Sequence, residues 1–297
     1  MHTRALGKTD IAVSEVGMGC NRLAESNRPD DHWIDLVKEA ADLGVNLFDT
    51  ANAYQNGGSE DILGRALGAR DDVYIASKVR GGDISPATVI QACEESLGRL
   101  RRERIDVYQL HSPTRENLER HDWPAALQTL QEQGKIGLRA VAVRSPEDGV
   151  WLVEQGLVDA LQITYNLLDT SAAETLMPLA QEKGVALLCR LPLAQGILTG
   201  KFSPDRPVAD DNRAARAGER LAERLARAES LKPLGAEYEG GLTRLAHHFS
   251  LGAAAVSCII PGARSSEQLR QNVAASNGGA LGAAWLGRIA AVQRSWD

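Results

Sequence analysis

Along most of the chain, short runs of apolar and β-branched residues alternate with longer stretches whose apolar positions recur at helical spacing. The runs Val16–Gly19, Asn46–Thr50, Val73–Val79, Ile105–Leu110, Leu138–Arg144, Ala160–Tyr165, Val185–Leu191 and Val256–Pro261 read as strands. Between them, Asp31–Leu43, Pro86–Leu100, Trp123–Glu132 and Ala172–Glu182 read as helices. Strands that alternate with helices pair in parallel through crossover connections. Eight of them are the number that closes an α/β (β/α)8, or TIM, barrel.

Gly44, Gly134 and Gly184 each follow a helical stretch and stand just before a strand. A helix ending there closes on a left-handed residue, a conformation that glycine adopts at little cost. These glycines mark one end of the barrel and leave the other end for chemistry. Residues 2–13 read as an N-terminal β-hairpin cap turning at Gly7–Lys8–Thr9–Asp10. Residues 201–216 are charged, contain proline and hold few large apolar groups, so they read as a surface loop. The stretch GERLAERLARAESL (218–231) reads as a helix, and the C-terminal GGALGAAWLGRIAAVQRSWD as an extra helix beyond the barrel. With no internal repeat and no linker, residues 1–297 are expected to form one barrel domain.

Composition narrows the class of partner. A chain of 297 residues exceeds the about 250 that such a barrel needs. No apolar run approaches the roughly 18–20 residues of a membrane span, and MHTRALGKTD has no apolar core of signal-peptide type. A net charge of −6 gives no pull toward nucleic acid or an anionic membrane. Cys20, Cys93, Cys189 and Cys258 are scattered without a CxxC pair, which argues against a zinc site or disulfides and suits a reducing cytoplasm. The expected partner is a small molecule, the expected metal content none, and the expected location cytoplasmic. Oligomeric state is not written in the sequence, and a monomer is the expectation.

The candidate chemistry sits where strands end. The second strand candidate ends in NLFDT with Asp49, the third in IASK with Lys78, and the fourth in VYQLH with His111. These residues are 29 and 33 positions apart, close to one β-helix-β step each, so neighbouring parallel strands bring them to one mouth. Tyr54 lies five positions past Asp49, in the loop leaving the second strand. A free tyrosine, with a pKa of about 10, is a weak acid near neutrality. A lysine cation beside a phenol favours the phenolate left after proton donation. Asp49 would hold that lysine charged, and His111 would hydrogen-bond a substrate oxygen. The four form a general acid with its tuning partners, suited to protonating a developing alkoxide.

With these residues in place, the chain resembles the aldo-keto reductase superfamily over nearly its whole length. FDTANAYQNGGSEDILGRAL (Phe48–Leu67) is similar to that family's first signature, with Asp49 and Tyr54 at its catalytic places. ASK (76–78) and QLHSP (109–113) match the catalytic lysine and histidine. LQITYNLL (Leu161–Leu168), PLAQGILTGKF (Pro192–Phe202) and IIPGARSSEQLRQN (Ile259–Asn272) match later motifs. The resemblance implies hydride transfer between NADP(H) and an aldehyde or ketone, or the reverse oxidation of an alcohol.

No GxGxxG follows an early strand, so a Rossmann-type site is not expected. The resemblance implies an extended cofactor across the barrel mouth, its adenosine end where IPGARSSEQLRQN opens the last barrel helix. There Gly262, Arg264 with a fork-shaped donor for a 2′-phosphate, Ser265, Gln268 and Asn272 are implied contacts. Gln162 matches the glutamine that binds the carboxamide. Arg190 matches an often aromatic position that stacks on the nicotinamide. Leu193 and Gly196 would bring backbone to the pyrophosphate, with Lys201 pairing its charge. One departure stands out: a Gly-Val-Ser-Asn-like stretch of the family is Ala142–Val143–Arg144–Ser145 here. Arg144 donates but cannot accept a carboxamide N–H, so that task would pass in part to Ser145.

Two other classes stand beside this reading. A cofactor-sensing binding module resembling potassium-channel β subunits would keep the same four residues. A metal-dependent barrel hydrolase would need several ligands at strand ends, where His111 alone of the six histidines stands. The substrate walls are expected from Asn21, Arg80 and the C-terminal segment with Trp285 and Trp296.

Overall fold

The computed structural model describes residues 1–203, 221–277 and 279–296. The strands are β1 (Thr3–Ala5), β2 (Ala12–Ser14), β3 (Met18–Gly19), β4 (Leu47–Asp49), β5 (Tyr74–Arg80), β6 (Ile105–His111), β7 (Ile136–Ala142), β8 (Ala160–Thr164), β9 (Ala186–Arg190) and β10 (Val256–Ile259). Strands β3 to β10 form one sheet in chain order, every pair parallel. Parallel bridges Val16↔Ile259 and Gly19↔Gly262 join its two edges, with Gly19 N donating to Pro261 O at 3.0 Å. The sheet thus curls onto itself as a (β/α)8 architecture, which leaves no edge strand exposed. The eight strand candidates of the sequence are these eight strands. Among the described residues, no helix is long and apolar enough to cross a membrane.

Hairpin β1–β2 covers the barrel end where the strands begin. Its Leu6 and Val13 are fully buried and pack with Leu47, Ala76, Val107, Ala160, Ala186 and Leu188, the apolar layer inside the sheet. Gly7 turns at φ +62, and a Cβ there would stand 2.7 Å from Gly184 O. The close approach lets Lys8 N donate to that carbonyl at 3.1 Å. The helices form the outer layer, and the larger apolar cluster lies between them and the outward side chains of the strands, Phe48, Ile75, Tyr108 and Leu161 among them.

Boundaries shift for local reasons. Strand β7 begins at Ile136 rather than Leu138, because Gly137 interrupts the apolar run without interrupting the strand. A Cβ at Gly137 would meet Asp106 O at 2.4 Å, so only a bare backbone passes there. The helix expected from Ala172 starts at Leu176. Before it, Ser171 Oγ donates to Asp169 Oδ1 at 2.7 Å, a local bond that competes with helix formation. Of the loop expected over 201–216, residues 204–216 lie outside the described residues, as do 218–220 of the following helix. The remainder, Leu221–Glu237, continues past the expected end through Pro233, with Leu231 and Leu234 buried. An extra helix, Ala283–Gln293, follows the barrel near the C-terminus.

Candidate active site

Side chains two apart on a strand share a face. Above the apolar layer, the next inward positions are therefore Asp49, Lys78, Gln109 and Gln162, two residues past Leu47, Ala76, Val107 and Ala160. This second layer is polar and closely bonded. Lys78 Nζ donates to Asp49 Oδ2 at 2.7 Å and to Thr50 O at 2.7 Å. Gln109 Nε2 and Gln162 Nε2 donate to Asp49 Oδ1 at 3.0 and 2.8 Å. The Lys78 side chain has no exposed surface and that of Asp49 only 5 %. Burial by itself would depress the lysine pKa, but the Asp49 and Tyr54 side chains more than offset it and hold the value above its ordinary position. The ammonium therefore stays charged.

Tyr54 opens a short turn after β4. Gln55 and Asn56 follow it with φ of 49° and 51°, a left-handed pair that folds the chain sharply into the helix Gly58–Leu67. Backbone strain of this kind, about 1–3 kcal/mol per residue, gathers at functional sites. The Tyr54 ring stands 5.1 Å from Lys78 Nζ and meets the His111 ring edge-on, centroids 5.5 Å apart. Phenol, ammonium, carboxylate and imidazole are thus one cluster, as their spacing implied.

A cavity of about 430 Å³ opens beside them. It is lined by Asp49, Tyr54, His111, Gln162 and Arg190, then by Leu193, Gly196 and Lys201, and by Gly262, Arg264, Gln268 and Asn272. Ser145 and Ser265 are not in this lining. Their hydroxyls cap the helices Pro146–Glu154 and Ser266–Val273, accepting from Asp148 N and Gln268 N at 3.3 Å each. Arg144 reaches back to donate to Ser112 O at 2.7 Å. Arg264 N donates to Gln268 Oε1 at 2.9 Å, and Asn272 Nδ2 to Gly262 O at 3.2 Å, so these residues brace the loop after β10.

The expected substrate walls are realised only in part. Asn21 lines the cavity, whereas Arg80 is exposed outside it. The described residues of the C-terminal segment also stay outside, because their aromatic groups are engaged elsewhere: Trp285 packs edge-on against Tyr238, and Trp296 lies under Arg227. Sequence reasoning missed Gln109. The signal was present in IDVYQLH, where Val107, Gln109 and His111 share the inward face of β6. It also missed Arg22 in the cavity lining, ion-paired to Glu25, which further approaches Arg264 at 3.7 Å.

A model of the Aldo/keto reductase family matches residues 15–293. An uncharacterized oxidoreductase of Bacillus subtilis is 30% identical, over 93% of this chain and 92% of its own. The NADH-specific methylglyoxal reductase of Escherichia coli is 29% identical, over 92% of each chain. An aldo-keto reductase of Bacillus halodurans, solved in its holo form, superposes with a TM-score of 0.84 at 29% identity, covering 98% of this chain and 96% of that one.

Proposed function

The chain belongs to the aldo/keto reductase family, an oxidoreductase family acting on carbonyls, and from that premise we propose that it reduces aldehydes or ketones with NADP(H), Tyr54 acting as the general acid. One observation carries the proposal: a buried, charged Lys78 held between the Asp49 carboxylate and the Tyr54 ring. The cation favours the phenolate that remains when Tyr54 gives its proton to the carbonyl oxygen. His111, edge-on to that ring, is the second group able to hydrogen-bond this oxygen. Asp49 keeps Lys78 in place and never needs to leave it.

The cavity suits an elongated, polyanionic cofactor. Arg22, Arg190, Lys201 and Arg264 line it, and so does Gln195, whose Oε1 is buried without a hydrogen-bond partner. Gly196, at φ +93, gives a ligand access to backbone there. Bound nicotinamide supplies the hydride. Gln162 and Arg190 would hold its ring end, Leu193, Gly196 and Lys201 its pyrophosphate, and Gly262, Arg264, Gln268 and Asn272 its adenosine end. Ser265 contributes as the cap of the helix behind Arg264, and Ser145 as the cap beside the carboxamide end. Arg264 is the reason for proposing the 2′-phosphorylated cofactor, since a guanidinium fork matches a phosphate.

The test is Tyr54→Phe, which removes one hydroxyl. Carbonyl reduction should fall by at least about 100-fold, the range expected for a general acid. Full activity in this variant would sink the proposal. A cofactor-sensing module would instead bind cofactor in wild-type form without turning over any member of an aldehyde panel.

A further inference from the structure

Arg190 is a cation of a different kind from Lys78. Strand β9 lies four places from β5 in the closed order of eight, so the two side chains approach the mouth from opposite walls. Lys78 has a carboxylate oxygen at 2.7 Å. Among the described residues, Arg190 is bonded to neutral oxygens alone. Its Nε donates to Thr164 Oγ1 at 3.2 Å, and its two terminal nitrogens to Ser112 Oγ at 3.1 Å and Val143 O at 2.8 Å. Among the described residues, no carboxylate forms an ion pair with it. The Asp49 carboxylate is already held by Lys78, Gln109 and Gln162.

Burial opposes the charge on Arg190 and pulls its pKa down, against the attraction of Tyr54 and Asp49. An arginine nonetheless stays protonated. Three anchors on three neighbouring strand ends keep the guanidinium from swinging out to water. It lines the same part of the cavity as Tyr54, His111 and Gln162. The mouth therefore carries one fixed positive charge that forms no ion pair among the described residues.

Resting on the nicotinamide reading above, we propose that Arg190 discriminates between the two redox forms of the cofactor, favouring the neutral reduced ring over the cationic oxidised one. A hydride donor serving a carbonyl held at Tyr54 has to bring its ring to this end of the cavity. The two forms differ by one hydride, so the oxidised ring carries one more positive charge. Like charges sharing a cavity of effective dielectric about 20 repel enough to change a binding constant by at least about tenfold. The reduced form escapes that penalty, and a planar guanidinium still offers a stacking surface to either ring.

Dissociation constants for NADP+ and NADPH, measured by calorimetry or fluorescence titration, test this without reference to turnover. Wild-type protein, Arg190→Gln and Arg190→Lys are compared. The ratio of oxidised to reduced dissociation constants should fall by about tenfold in Arg190→Gln. It should stay within about twofold of wild type in Arg190→Lys, which keeps a charge and loses the fork. An unmoved ratio in Arg190→Gln, or an equal fall in both variants, overturns the assignment. Because both constants come from one preparation, a partly unfolded sample does not imitate the effect. Wild-type protein that binds neither form overturns the nicotinamide reading itself, a result distinct from binding both with an unmoved ratio.

Discussion

Gln162 Nε2 lies 2.8 Å from Asp49 Oδ1, although 113 residues separate the two in sequence. Their strands, β8 and β4, stand four places apart in a closed order of eight, so the bond spans the barrel interior. Together with Gln109 and Lys78, it places three donors on one carboxylate. Asp49 is thereby fixed in orientation as well as charge, and Lys78 with it. The polar layer beneath Tyr54 is assembled from four strands.

Removing the Asp49 charge should be costly to both stability and activity. Asp49→Asn leaves Lys78 as a buried cation without its carboxylate, and breaking such a pair costs about 3–5 kcal/mol. Thermal unfolding should shift down accordingly, and carbonyl reduction should fall by at least about tenfold as Lys78 loses charge or position. A variant with wild-type midpoint and rate would contradict the role given to this pair.

His247 sets an acid limit on stability. It is fully buried, neither ring nitrogen has a hydrogen-bond partner, and burial pushes its pKa down to about 3. In the unfolded chain it titrates near 6.5. Between these values the unfolded state binds the extra proton, so stability is full above about pH 6.5 and declines toward pH 3, by about 1.4 kcal/mol per pH unit. Denaturant unfolding of wild type and His247→Leu from pH 7 to 4 checks this. The variant should lose less stability over that range, and parallel curves would show that His247 is not the cause.

Gly81 controls where His111 stands. A Cβ at this position would lie 2.5 Å from His111 O and 2.6 Å from Pro113 N, both backbone atoms that cannot rotate aside. Gly81→Ala therefore has to displace the turn after β6. If His111 binds the substrate oxygen as proposed, misplacing it costs about 10- to 100-fold in rate. Steady-state assay should record such a loss, alongside a fall in the thermal midpoint.

The proposed preference for NADP(H) rests on Arg264, which lines the cavity on the loop after β10. Arg264→Ala should weaken NADPH binding by at least about tenfold and leave NADH binding within about twofold, since a charge-assisted pair with phosphate is lost only in the former. Equal weakening of both would mean that the guanidinium does not read the 2′-phosphate.

Strand-helix alternation and strand-end polarity were enough to read the eight strands and the Asp49–Tyr54–Lys78–His111 cluster from the chain alone. The reason is that a parallel barrel maps sequence order directly onto spatial order, so polar residues one β-helix-β step apart become neighbours. Pairing across the barrel carries no such local mark. That Gln109 and Gln162 would converge on Asp49 depended on closure and register, which bring strands together that sequence separation keeps apart. The same closure set Arg190 among neutral oxygens at three neighbouring strand ends, and helix packing outside the sheet turned Trp285 and Trp296 away from the cavity. Periodicity along the chain determines which elements form and which face each residue takes. Which side chains share a charge or a hydrogen bond is settled only when distant strands meet, because those interactions reach a few ångströms and ignore sequence distance.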